Sequence, residues 1–336
     1  MYLDTRVLSK LIFNSSLSFI LIITGVWTMS FSTRTSFAFI VAIFSILVLA
    51  LFKTRAAHFK FFTELESIAV PRISNTEGNL KVQQKIISHF TDWYFFQDRF
   101  IDNTPEGPTE FTNLYFTRNP HNKEKIILSA HFDSLNLPSA NGIEYIGAID
   151  SAVPCTMLME LASKLDGDQI DFVFFDGEEA VRKWTKQDSL YGSRHLAEIF
   201  RRKEKIDFIK KGETIQIEAS LSDIKLVVVL DLLGSPNPKF YNDYDSPLFD
   251  HFVMAENELR REARIKSSQK YFYPGRSGWL VSDDHEPFSA LNVSSMLIIP
   301  IPFPDVWHTL DDDLEHLDHG TIKDLRLILE RFAKSL

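Results

Sequence analysis

Ile170–Glu179 reads IDFVFFDGEE, a short apolar run that ends in an acidic turn, Asp176-Gly177-Glu178-Glu179. A run of this length bounded by a turn signal predicts a strand buried on both faces of a sheet. The same pattern recurs on either side. Lys125–Ala130 (KIILSA) runs into His131 and Asp133, Lys225–Leu230 (KLVVVL) ends at Asp231, and Met296–Pro300 (MLIIP) precedes a polar turn. Between these runs the apolar positions recur at helical spacing: Asn79–Phe95, Ala148–Leu165 with Asp150 and Ser151 near its start, Ser189–Arg201, about Pro247–Arg264, and Thr321–Ala333. Strands alternating with helices predict an α/β fold on a largely parallel sheet.

The chain has 336 residues, 45% hydrophobic, and a formal net charge of −9. Residues 1–60 hold one acid, Asp4, and six bases, a net of +5, so the remainder carries −14. A body that acidic lacks the cationic footprint of a nucleic-acid binder, and nucleic acid is excluded as a partner. The single cysteine, Cys155, rules out an intramolecular disulfide framework and a multi-cysteine zinc finger. It lies in the apolar run AVPCTMLMELA and is read as a small buried hydrophobe, with a thiol nucleophile as the minor alternative. There is no internal repeat and no low-complexity tract.

Residues 11–33 and 35–52 contain no charged side chain, and each run approaches the ~20 residues that cross a bilayer. Residues 1–56 are therefore expected to be a membrane anchor of one or two spans, and residues 57–336 a single catalytic domain. The flanking bases favour a hairpin with both ends cytoplasmic. Asn292-Val293-Ser294 is a glycosylation sequon, usable only on a lumenal, exposed body.

Open α/β sheets bind ligands at the carboxyl ends of their strands. Here those ends carry His131 and Asp133, Glu178 and Glu179, Asp231, and the segment PFPDVWH ending at His308; Asp150 stands at a loop-to-helix junction. Taken singly, Asp150 fits a helix N-cap, Glu178-Glu179 a solvated loop, and Asp311-Asp312-Asp313 another. Together, like charges converging on one sheet edge resist desolvation unless a cation sits among them. Asp, Glu and His are ligands that suit zinc, and a further carboxylate beside them would serve as general base. GxSxG, HExxH, a P-loop and GxGxxG are all absent from the sequence.

The strings SAHFDS, GAIDSAVPCTMLMELA, FVFFDGEEAVRKWTKQDSLYGSRHLA, VVLDLLGSPNP, SDDHEPF and PFPDVWHTLDDD resemble those of glutaminyl-peptide cyclotransferases, relatives of the M28 zinc aminopeptidases. The resemblance runs in order from about Ala57 to the C-terminus. HxD, a helix-start Asp and a Glu-Glu pair fit an aminopeptidase equally. DSAVPC, Trp184 after DGEEA, and PFP-x-VWHT are more specific to the cyclases. The resemblance implies a three-layer α/β/α domain with a central, mostly parallel mixed sheet. It implies one Zn²⁺ per chain on Asp150, Glu179 and His308, and Glu178 as general acid/base. Asp231 and Asp283 then position and proton-couple the substrate, and Trp184, Phe303 and Trp307 line a small pocket. His131 corresponds to a group behind the ligands or to a second-metal ligand, as in two-zinc aminopeptidases, where Asp231 also corresponds to a second-metal ligand.

The implied partners are peptides or proteins beginning with glutamine, and the reaction is cyclisation to pyroglutamate with loss of ammonia. The family's setting implies a lumenal domain in the Golgi or endoplasmic reticulum, against the cytoplasmic hairpin that the charges favour. Ala130 replaces a cysteine that secreted relatives bridge to the position of Cys155, and Ser282 and Leu297 replace polar residues. The alternatives are an M28-type zinc aminopeptidase and an inactive binding domain of the same fold.

Overall fold

All six side chains of Ile170–Phe175 are buried, and they alternate between two apolar layers: Phe172 and Phe174 on one face, Val173 and Phe175 on the other. The computed structural model describes Ser45 and residues 59–336. After a helical stretch over 61–68, the elements in chain order are α1 (Glu77–His89), β1 (Tyr94–Thr104), β2 (Gly107–Thr117), β3 (Lys125–His131), α2 (Val153–Ala162), β4 (Ile170–Phe175), α3 (Tyr191–Arg202), β5 (Lys205–Lys210), β6 (Glu213–Glu218), β7 (Ile224–Leu230), β8 (Phe240–Tyr241), α4 (Phe249–Arg261), β9 (Phe272–Tyr273), α5 (Glu286–Ser289), β10 (Ser295–Ile298) and α6 (His319–Ala333). Phe61–Leu336 forms one compact unit.

Eight strands form one sheet in the order β10-β7-β3-β4-β2-β1-β5-β6. The β10, β7, β3 and β4 half is parallel, and the remaining pairings are antiparallel. With three parallel and four antiparallel pairings, the sheet is mixed rather than mostly parallel. Two hairpins supply two of the antiparallel pairings, and β2 on β4 and β1 on β5 supply the others. β1 and β2 join across Thr104–Gly107, and β5 and β6 across Lys211-Gly212, where both residues have positive φ (50° and 87°). A two-residue turn of that kind matches the twist of paired strands. The apolar cluster Trp93–Phe96 masked the first hairpin in the sequence, where helical spacing was extended to Phe95; the helix stops at His89 and Tyr94 opens β1.

Val82 and Ile86 of α1, Leu158 of α2, Phe252 of α4 and Ile328 of α6 pack in the layer that holds Phe172 and Phe174. Leu196 and Phe200 of α3 and Phe288 of α5 pack in the other. Each fully buried aromatic or branched side chain contributes roughly 1.5–3 kcal/mol relative to exposure. α2 departs from its amphipathic expectation: all of its residues except Glu160 are buried. Cys155 is buried there, its thiol donating to the His131 carbonyl at 3.1 Å, and burial pushes its pKa up to about 12, as an inert core residue requires. Among the described residues no helix is long and apolar enough to cross a membrane. The runs 11–33 and 35–52, Ser45 apart, lie outside the described residues.

Candidate metal centre and pocket

The parallel half of the sheet places the carboxyl ends of β3, β4, β7 and β10 side by side, and each delivers chemistry to one edge. β4 runs into Asp176-Gly177-Glu178-Glu179. Gly177 has φ +70°, and a Cβ there would lie 2.5 Å from the Phe111 ring, so only glycine makes this turn. Asp133, just past β3, accepts hydrogen bonds from the backbone N–H of Glu178 and of Glu179, both at 3.1 Å. The turn is thereby clamped with both glutamate side chains buried at the edge, so Glu178-Glu179 is not a solvated loop.

Asp150 does not cap a helix. The backbone at Asp150 and Ser151 is non-helical, and α2 begins only at Val153. The loop is held instead by the buried Arg72, whose guanidinium donates to the carbonyls of Ile146, Gly147 (2.9 Å) and Asp150 (3.1 Å). His308 arrives on the segment after β10 with φ +55°, a conformation that costs a non-glycine residue about 1–3 kcal/mol. Trp307 stacks on its ring at 4.1 Å between centroids, and Phe303 meets Trp307 edge-on at 4.8 Å.

Three of these groups converge. His308 Nε2 lies 3.4 Å from Asp150 Oδ2 and 3.5 Å from Glu179 Oε1. Bonds of about 2.0–2.2 Å in a tetrahedral zinc site put ligand atoms about 3.4 Å apart, so this set fits zinc. Glu179 Oε1 is also buried with no hydrogen-bond partner, as a metal-directed oxygen would be. His131, Asp150 and Asp231 form a second group of potential ligands that shares Asp150. There His131 Nε2 stands 2.9 Å from Asp150 Oδ1 and 3.4 Å from Asp231 Oδ1. The imidazole is thereby packed against both carboxylates, with neither of its buried ring nitrogens in a hydrogen bond.

Asp312, expected in a solvated acidic loop, is instead enclosed. It is buried, with Oδ1 accepting from the Ile149 N–H at 2.7 Å, and Tyr145 Oη lies 3.1 Å from Asp150 Oδ2 and 3.2 Å from Asp312 Oδ2. Asp312 follows His308 by four residues, so it ties the His308 segment to the Asp150 turn and sets the spacing of two ligands. Tyr145→Phe is therefore expected to weaken zinc binding about tenfold, the lower end of what loss of a group behind the ligands costs. Titration of zinc against a chromophoric chelator checks this, and unchanged affinity would remove the tie from the account.

Burial and mutual charge shift the protonation of most of these groups. Burial, then the Asp150 charge, pushes Glu179 up to about 7. Burial raises Glu178 well above the carboxylate range, with Glu179, Asp283 and Asp284 adding to it and His131 opposing. Burial and the charges of Asp231 and Asp284 do the same to Asp283. Burial would raise Asp150 too, but His131 and His308 overcome it and leave the carboxyl below its ordinary value. Burial opposes protonation of His308, yet Asp150 and Glu179 raise it to about 10.

A cavity of about 330 Å³ opens over these groups, and every residue expected at the site, His131 apart, lines it. Asp150, Glu178, Glu179, Asp231 and Asp283 are its buried acids; Trp184, Phe303 and Trp307 are its aromatic wall. The Trp184 loop is fixed by Asp188, which accepts from the backbone of Val181, Arg182 and Lys183. His131 lies beneath, in contact with Asp150 and Asp231. Sequence reasoning missed Arg72, Tyr145, Asp312, Asp188 and the rim residues Trp279 and Leu280. Only the triple aspartate and the Ser282-Asp283-Asp284 run carried a signal.

Fold and site together define a protein of the M28 peptidase class, and residues 113–333 match the model of Peptidase family M28. The chain is 38% identical to the glutaminyl-peptide cyclotransferase of Dictyostelium discoideum, over 82% of this chain and 84% of that protein. It is 35% identical to the Bos taurus protein of the same name, over 80% of each. The crystal structure of Macrostomum lignano glutaminyl cyclase superposes with a TM-score of 0.72 at 29% identity, covering 82% of this chain and 88% of that one. The chain belongs to the glutaminyl-peptide cyclotransferase family.

Proposed function

We propose that this chain is a zinc-dependent glutaminyl-peptide cyclotransferase that converts the N-terminal glutamine of peptides or proteins to pyroglutamate with release of ammonia. The observation that carries the reading is one cavity in which a three-ligand set stands beside a protonatable glutamate under an aromatic wall. The chemistry supplied at Asp150, Glu179 and His308 when zinc is bound is Lewis-acid polarisation of the side-chain carbonyl oxygen. Glu178 takes a proton from the α-amine, whose nitrogen bonds to the side-chain carbonyl carbon. The carbon–nitrogen bond of the carboxamide breaks, and Glu178 returns the proton to the departing NH2 group, which leaves as ammonia. Asp283 and Asp231 face the same space and hold the amine in place. Trp184, Phe303 and Trp307 exclude water and fold the glutamine side chain back on its own amine, which is catalysis by proximity.

A two-metal aminopeptidase is the second reading, and the group His131, Asp150 and Asp231 favours it. One zinc per chain belongs to the cyclase reading and two to the aminopeptidase reading, so metal analysis of the purified chain separates them. The anchoring reading is that residues 1–56 hold the chain on a membrane and residues 57–336 face the lumen of the Golgi or endoplasmic reticulum. Asn292 and Ser294 of the sequon are both exposed, as glycosylation needs. Incubating the zinc-loaded chain with one peptide beginning with Gln and one beginning with Leu tests the activity by mass spectrometry. Loss of one ammonia from the first alone is expected; release of a free amino acid would replace cyclase by aminopeptidase.

A further inference from the structure

The cavity has a floor and a rim of opposite character. Its acids are buried, whereas Trp279 is 56% exposed and Leu280 84%, and both line the same cavity. Exposed apolar side chains are ordinary when scattered; these two are adjacent and stand on the cavity that holds the reacting groups, so they offer what leaves it a continuous apolar surface. The mechanism uses neither of them.

Their segment is held in a fixed shape. Asp243 accepts from the Ser277 N–H at 2.7 Å, the Ser277 hydroxyl at 2.6 Å and the Gly278 N–H at 3.1 Å. Gly278 has φ +85°, a turn that glycine makes without strain, immediately before Trp279. On the other side, Tyr244 donates to the Val281 carbonyl at 2.8 Å. Arg276 is paired with Asp245 and is not a spare cation. Side chains presented on a pinned backbone lose little freedom when a ligand arrives. Among the described residues, no lysine or arginine lines the cavity, so an acidic group at the rim would find no lysine or arginine partner.

We propose that Trp279 and Leu280 form a second subsite, which takes the side chain of the residue that follows the N-terminal glutamine and favours an aromatic or branched apolar one. The proposal rests on the glutamine reading above. If the carboxamide meets Asp150, Glu179 and His308 and the amine meets Glu178, both at the floor, the peptide's main chain must leave through the mouth. At about 3.3–3.6 Å per residue, the first side chain outside is that of residue two, and the apolar surface waiting there is Trp279 and Leu280.

The test compares kcat/KM for peptides beginning Gln-Phe, Gln-Leu and Gln-Gly, using the zinc-loaded full chain. Wild type is expected to favour Gln-Phe over Gln-Gly by about tenfold, the ratio that partial burial of one ring supports. Trp279→Ala is expected to cut that ratio to about twofold, and Leu280→Ser to lower it for Gln-Leu as well. Met254→Ala, a half-exposed position on α4 outside the cavity, serves as the control that leaves the ratio in place. Cyclisation with no preference for an apolar second residue would overturn the subsite and leave the glutamine reading standing. Equal losses on all three peptides would make the segment a support for the floor and also overturn it. If no Gln peptide is cyclised, the glutamine reading falls, and the subsite with it.

Discussion

Replacing Glu178 by glutamine is expected to lower kcat by about 10²–10⁴-fold while zinc remains bound, the range that loss of a positioned acid/base costs. Glu178 lines the cavity but is not one of the three converging ligands, so the amide leaves Asp150, Glu179 and His308 as they are. The amide is nearly isosteric and equally buried, yet cannot accept the amine's proton and return it. Burial, with the charges of Glu179, Asp283 and Asp284, holds the wild-type carboxyl well above its usual range, which suits a group that must pass through both protonation states. Metal analysis of the purified variant, set beside steady-state rates on a Gln peptide, separates this role from ligation. Turnover within a few-fold of wild type would remove Glu178 from the mechanism.

Stripping zinc is expected to abolish turnover and to lower Tm by roughly 10 °C near pH 8, the effect of losing a ligand present at 100–1,000 times its Kd. The loss should be smaller at pH 5. Glu179 is pushed from 4.5 to about 7 by burial and Asp150, so the metal-free fold keeps a proton that the unfolded chain releases. Asp312, moved from 3.8 to about 7 by burial and the Asp150 charge, behaves alike. The folded state then binds more protons than the unfolded state between about pH 4 and 7, and stability falls as pH rises. His308 adds to this: its raised value gives stability that is complete below 6.5 and fades toward about 10. Asp150, shifted downward, loses its contribution only below 3.8, outside the window. Zinc binds the anionic carboxylates and so reverses the trend. Calorimetry at pH 5 and pH 8, with and without zinc, reads the difference directly; an equal gap at both would contradict a site built from these carboxylates.

Much of this was legible locally. A buried strand declares itself as a short apolar run, so four strands of the parallel half were found within one or two residues. The acids at their ends could be assigned to one edge because parallel strands share a direction. The hairpins were not found, since the apolar residues of Trp93–Phe96 continue a helical spacing as readily as they begin a strand. Asp312 was misread because an aspartate among aspartates looks solvated until its partners are known, and those partners, Ile149 and Tyr145, are about 165 residues away.

The sequence by itself determined the alternation of strands and helices, the residue types available for zinc and proton transfer, and the resemblance that joins them to one reaction. Only the tertiary structure decided that His308 stands 3.4 Å from Asp150 and 3.5 Å from Glu179, that Asp133 clamps the Glu178-Glu179 turn, and that Trp279 and Leu280 meet the cavity at its rim. The reason is physical. Periodicity is a property of neighbours along the chain, whereas burial, ligand spacing and the protonation of a carboxyl depend on groups that meet only when distant segments pack.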